Sequence, residues 1–155
     1  MTRPEDAVYH YTESGLDNVW IDGIELVTDD DGDEVLSIEN INGLHKAIAL
    51  GIVGCHGAMD GKELRFLRTE MGLTQAELGK VLQKEALTVG RWERGERPID
   101  PNADTIIRLV AMERLGLSLD VPTEVLSQYS IPAATPKAIN IDGHDPSDYK
   151  LKPAA

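Results

Sequence analysis

Few side chains in this 155-residue chain can do covalent chemistry, and none is spaced for it. The lone cysteine, Cys55, precedes His56, and adjacent residues rarely face each other as a nucleophile and its base must. No G-x-S-x-G, P-loop or H-E-x-x-H pattern occurs, so no enzyme activity is expected. Zinc ligands would have to come from His10, His45, Cys55, His56 and His144, which include no C-x-x-C pair. The run Asp29-Asp30-Asp31-Gly32-Asp33-Glu34 offers oxygen ligands, but its glycine stands fourth where a calcium loop needs it sixth. No metal and no other cofactor is therefore expected. What remains is a chemistry of contact. The planar guanidinium of Arg91 can donate to guanine O6 and N7 together, and Thr88 can meet a thymine methyl or a phosphate. Lys84, Arg94 and Arg97 lie close by in sequence as charges for phosphate.

Two short helices must position these groups. Thr74 and Glu77 form a T-x-x-E capping box, which predicts a helix over 75–82 with Leu78 and Leu82 on its inner face. Gly79 marks a close approach to a second helix. That helix is expected from about Glu85 to the stop at Gly95, with Val89 and Trp92 facing the core. Gly90 is unusual inside it, because glycine costs about 1 kcal/mol relative to alanine there. Two accounts stand side by side: close approach of the helix to DNA, or a tight helix–helix contact.

The segment Leu73–Gly95 resembles the Cro/C1-type (XRE-like) helix-turn-helix regulators, through Leu73, Thr74, Gln75, Glu77, Leu78, Val89, Arg91, Trp92, Glu93 and Gly95. The resemblance covers about residues 60–117 and implies a five-helix, lambda-repressor-like DNA-binding domain. It implies that Gln75 clamps a phosphate at a helix N-terminus. It places Ala86, Leu87, Thr88, Gly90, Arg91 and Arg94 on the surface facing double-stranded DNA. It also implies an internal salt bridge between Arg68 and Glu93. Two positions depart from the family pattern. Gln83 stands where the turn usually carries glycine, and Glu85 stands where the recognition helix usually starts with Ser or Thr.

The charge is uneven. The chain carries net −12, but residues 1–60 hold 2 basic and 13 acidic residues, whereas residues 61–117 hold 10 and 9. An acidic front part, repelled by DNA, is thus attached to a near-neutral one. The fold class expected is α+β, in three parts. Residues 1–58 form an acidic α+β domain: a strand near Val8–Tyr11, strand structure over Val19–Val27 with a turn at Asp22-Gly23, a hairpin of Glu25–Thr28 and Glu34–Ile38, and a helix over Ile41–Val53. The apolar stripe of that helix is Ile41, Leu44, Ile48 and Ile52. Residues 59–119 form the helix-turn-helix domain. Its first helix carries Leu64, Leu67 and Met71. Its last starts at Asp100-Pro101 and has Ile106, Leu109, Val110 and Leu117 on its apolar face. Residues 120–155 form a short helix near 122–129 and an extended or disordered tail, in which 137–141 reads as a docked strand.

No apolar run approaches the ~20 residues of a membrane span, and the single cysteine fits a reducing compartment, so a cytoplasmic protein with no membrane contact is expected. The order of front domain and helix-turn-helix is also similar to MqsA-like antitoxins, without that family's zinc-binding cysteines. The motifs carrying this second likeness are Tyr9 to Trp20 and Gly43-Leu44-His45. Together the readings imply a dimeric, sequence-specific transcriptional regulator, a repressor. The alternative is an antitoxin whose acidic front domain binds a basic toxin.

Overall fold

The computed structural model describes residues 8–24, 26–131 and 137–152. Within them the chain forms β1 (Val8–His10), β2 (Val19–Asp22), β3 (Leu26–Thr28), β4 (Glu34–Leu36), α1 (Ile41–Val53), α2 (Gly61–Glu70), α3 (Gln75–Leu82), α4 (Ala86–Glu93), α5 (Pro101–Leu115), α6 (Thr123–Gln128), β5 (Ile139–Asp142) and β6 (Lys150–Leu151). The α+β class expected from sequence is the class found. No helix among the described residues is long and apolar enough to cross a membrane.

The tail contains the short helix and the docked strand expected from sequence, and the structure adds where that strand pairs. Its described residues are ordered into α6, β5 and β6, and β5 lies inside a sheet of order β1-β2-β5-β6. β5 runs parallel to β2, with Val19 opposite Ile139 and Ile21 opposite Ile141. A parallel pair needs a long crossover. Here every element from β3 to α6 lies within it. The physical reason is alternation: Ile139 and Ile141 are buried while Asn140 and Asp142 point away, so the strand has a face to bury. With Val19 and Ile21 they meet α1, whose Leu44, Ala47, Ile48, Ala49, Ile52 and Val53 are buried.

α1 has the predicted bounds, but Ile41, expected on its inner stripe, is exposed. It is the first residue of the helix, ahead of the packed turns. The acidic run closes the hairpin of β3 and β4. Asp29 Oδ1 accepts from the backbone N–H groups of Asp31 (3.0 Å) and Asp33 (2.8 Å). Val27 pairs with Val35 across this hairpin, and both are exposed with Leu26. Glu25, placed at the hairpin's start from sequence, lies outside the described residues.

The glycine-rich stretch 54–61, which spans the junction expected between residues 58 and 59, is bolted down. Arg108 on α5 is fully buried. Its Nε donates to Asp104 Oδ1 (2.7 Å), its Nη1 to the carbonyls of Val53 (2.9 Å) and Cys55 (2.7 Å), and its Nη2 to that of Gly57 (2.5 Å). Asp104 in turn accepts from the Met59 N–H and the Ser130 hydroxyl, both at 2.8 Å. This network corrects the apolar face assigned to α5. The buried stripe is Ala103, Asp104, Ile107, Arg108 and Ala111, while Ile106 is exposed and Leu109 and Val110 are half-buried. A hydrophobic pattern does not register an ion pair in the core.

Two further ties join the parts. The Tyr11 hydroxyl meets His45 Nε2 at 3.0 Å, and His45 Nδ1 donates to Glu70 at 2.8 Å, linking the front sheet, α1 and α2. Burial, with Glu13 and Glu70 near, pushes the Tyr11 phenol up to about 12. At the start of α2, Asp60 and Glu63 form a capping box, and Glu63 also accepts from Asn18 at 3.4 Å. Burial first, then the Asp60 charge, pushes the Glu63 carboxyl up to about 7.

Replacing Arg108 with Met strands Asp104 and three carbonyls in the core, and should cost about 3–5 kcal/mol in urea titrations. Arg108→Lys should also destabilise, since one ammonium cannot span four acceptors. The exposed control Arg114→Met should change stability by less than about 0.5 kcal/mol. Equal losses for Arg108 and Arg114 would contradict this account. Glu63 makes a separate prediction. Its folded pKa lies above its unfolded value, so the native state holds the proton more tightly. The stabilisation is complete below the ordinary carboxylate range and is lost as pH rises toward and through about 7. Stability measured from pH 5 to 8 should therefore fall less in Glu63→Gln than in the parent.

Candidate nucleic-acid interface

α3 has the predicted bounds, with both arms of its capping box formed at 3.0 Å: Glu77 N–H to the Thr74 hydroxyl, and Thr74 N–H to the Glu77 carboxylate. The turn to α4 is tight. Lys84 N–H donates to the Gly79 carbonyl at 2.8 Å, and a Cβ on Gly79 would lie 2.5 Å from the Lys84 carbonyl oxygen. Only glycine allows that approach. Gln83 closes α3 at φ 56°, ψ 43°, the left-handed region, and among the described residues it is the one non-glycine residue with positive φ. Leu78, Leu82, Val89 and Trp92 are buried beneath the two helices.

Glu93, at the end of α4, is the hub of the unit. Arg68 on α2 grips it with Nε to Oε2 (2.5 Å) and Nη2 to Oε1 (3.0 Å), and also donates to the Leu73 carbonyl (2.9 Å). This is the ion pair that the family resemblance implied. Glu93 Oε1 also accepts from Gln75 Nε2 at 3.2 Å. The Gln75 side chain thereby lies over Gly90. A Cβ on Gly90 would sit 3.3 Å from Gln75 Oε1 and 3.0 Å from Arg94 Nη1. The structure thus gives Gly90 an intramolecular role: it makes room for the side chains of Gln75 and Arg94.

The outer face carries the remaining candidates. Leu87 is 55% exposed, and Ala86, Thr88 and Arg91 are half-buried around it. Glu85, at the N-cap of α4, makes no side-chain capping bond, and the first turn holds no acidic residue, so the Glu85 carboxylate itself is the acidic group set against the positive end of the helix. Lys84 stands 3.9 Å from Asp100, and Arg94 donates to Glu96 at 3.1 Å. That bond holds the Glu96 carboxyl below its usual range. Among the described residues Arg91 and Arg97 form no ion pair within 4 Å. Gln75, Gly90, Arg91 and Arg94 therefore belong to one face with Leu87 and Thr88, while Lys84 is partly held by the start of α5. Lys80, exposed on α3, adds a further cation.

The histidines considered for zinc are dispersed. His10 stacks on Trp20, His45 joins Tyr11 and Glu70, and His56 stacks on Tyr129. Among the described residues the group that could hold a metal is Asp22, Asp142 and His144, of which sequence spacing flagged only His144. The Lys152 ammonium already contacts Asp22 there. Asp104 and Arg108 were missed altogether; their i, i+4 spacing on α5 was the available signal.

Residues 64–121 match the family model for the helix-turn-helix. The match takes in α2 from Leu64 onward, α3, α4, α5 and the loop that follows, so this segment is similar to the helix-turn-helix family. No curated protein and no solved structure matches the chain.

The left-handed Gln83 makes a direct prediction. Glycine adopts that conformation freely, whereas another residue pays about 1 kcal/mol or more. Gln83→Gly should therefore raise the thermal midpoint, and Gln83→Val should lower it. A lower midpoint for the glycine variant would contradict the assigned turn.

Proposed function

We propose that this chain is a sequence-specific transcriptional regulator, a dimeric repressor that lays α4 in the major groove. The carrying observation is one face that combines Arg91, Thr88 and exposed Leu87 with Gln75, which is oriented by Glu93. Arg91 suits a guanine edge, Leu87 a thymine methyl, and the second Gln75 amide hydrogen a phosphate at the α3 N-terminus. Arg97 and Lys80 extend the phosphate contacts to either side. Two copies would present two such helices about 34 Å apart on a palindromic site. Exposed Ile106 on α5, Val125 on α6 and Ile131 offer apolar surface for the second copy. The acidic charge of the front unit disfavours its contact with the duplex.

A second reading is favoured by the β3–β4 hairpin. It exposes Leu26, Val27 and Val35 beside Asp29, Asp30, Asp31, Asp33 and Glu34, a surface suited to a basic protein. On this reading the chain is an antitoxin. The hairpin unit holds a basic toxin, and the helix-turn-helix controls the operon that encodes both.

Gel shifts on operator and scrambled duplexes at fixed salt test the first reading. Arg91→Ala should reduce discrimination by about 1–3 kcal/mol, whereas Lys80→Ala should weaken both duplexes alike. If the unaltered protein retains no genomic fragment selectively, the regulator reading fails. The second reading requires a stable complex with a basic protein from an adjacent reading frame, weakened when Asp29, Asp30 and Asp31 become Asn.

A further inference from the structure

A cleft of about 410 Å³ lies where three distant segments meet: α1, the turn after α5, and the loop before β6. Its floor is apolar. Ala47 and Leu117 are buried and Leu50 is half-buried. Tyr149 and Gly116 stand at its sides, with Lys46 and Ser118 as its unspent polar groups.

The rest of the polar lining is already committed. Asn40 Oδ1 accepts from Gly43 N–H and its Nδ2 donates to the Pro146 carbonyl. The Ser147 hydroxyl donates to Asp145, and Asp148 is held by Lys150 at 3.4 Å. Lys46 differs. Lys62, Lys84, Lys150 and Lys152 each form an ion pair, and Lys137 donates to the Ala58 carbonyl. Among the described lysines that leaves Lys80, on the DNA face, and Lys46. The Lys46 ammonium is 3.8 Å from where a Cβ on Gly116 would sit, so it lies over the turn after α5. In a chain with 27 acidic residues against 15 basic ones, an ammonium with no carboxylate of the described residues within 4 Å, although Asp148 lines the same cleft, is an unmet charge.

We infer that this cleft binds a small organic anion: a carboxylate on Lys46 and the Ser118 hydroxyl, with a short apolar body on Ala47, Leu50 and Leu117. The volume is within the range of small-molecule pockets, and a few convergent polar groups over an apolar floor is their usual chemistry. The occupant would touch the front unit and the end of α5 at once. The site does not depend on the DNA-binding reading.

Benzoate is the probe, followed by amide chemical shifts in the full-length protein. Saturable shifts are expected at Lys46, Gly116, Ser118 and Tyr149, and Lys46→Met should weaken binding about tenfold or more. Lys46→Gln serves if the Met variant does not fold, and Lys80→Met should bind as the parent does. Benzyl alcohol and benzylammonium should not saturate the site. Several outcomes overturn the inference: no saturation by benzoate at about 20 mM, equal binding of benzyl alcohol, or undiminished binding by both Lys46 variants. Saturation by inorganic phosphate but not benzoate also overturns it, since the apolar body would then have no role. A loss of stability in Lys46→Met with no benzoate binding by the parent would assign the ammonium to the α5 C-terminus instead.

Discussion

The buried guanidinium of Arg108 is the constraint on which the arrangement of the chain depends. Burying a charge is costly unless it is paired and its donors are satisfied. Here Asp104 supplies the charge, and the carbonyls of Val53, Cys55 and Gly57 take the other donors. Those carbonyls belong to the end of α1 and the loop that leads to α2. A stretch with three glycines, which would otherwise be a hinge, becomes part of the core. Ser130 and Met59 complete the network through Asp104, so α5, α6 and the loop cannot shift independently.

The parallel pairing of β2 with β5 applies the same constraint from outside. The two ends of the chain share one sheet, and the helix-turn-helix is carried on the crossover between them. The acidic front unit is therefore not tethered by a single linker. It is joined to the helical unit through Arg108, through the chain Tyr11–His45–Glu70, and through Glu63 with Asn18. Its charge is held at a defined position relative to α4. The cleft around Lys46 exists because of this closure, since its walls are α1, the end of α5 and the returning C-terminal segment.

Within the helical unit, Glu93 plays the organising part on a smaller scale. It receives Arg68 from α2 and Gln75 from α3 while standing at the end of α4. The side chain that resembles the family's phosphate clamp is oriented by the same carboxylate that fixes the helix behind it. This geometry favours glycine at position 90, because a side chain there would push the ends of Gln75 and Arg94 back by a few tenths of an ångström. A substitution at Glu93 would thus disturb packing and contact surface together.

Local signals sufficed where the structure is local. The T-x-x-E box, the Asp100-Pro101 start and the spacing of Leu78, Leu82, Val89 and Trp92 set the helices of the 60–117 unit, because capping and helical periodicity act within a few residues. Even the strained Gln83 was legible, as a non-glycine residue at a turn that favours glycine. The sequence alone did not disclose that residues 139–142 pair with residues 19–22, or that Arg108 is buried. Each depends on partners scores of residues away. A strand of four residues signals only that it has one apolar face, and an arginine signals only that it carries charge. Which face is covered, and which carbonyls receive the charge, is decided when distant segments meet.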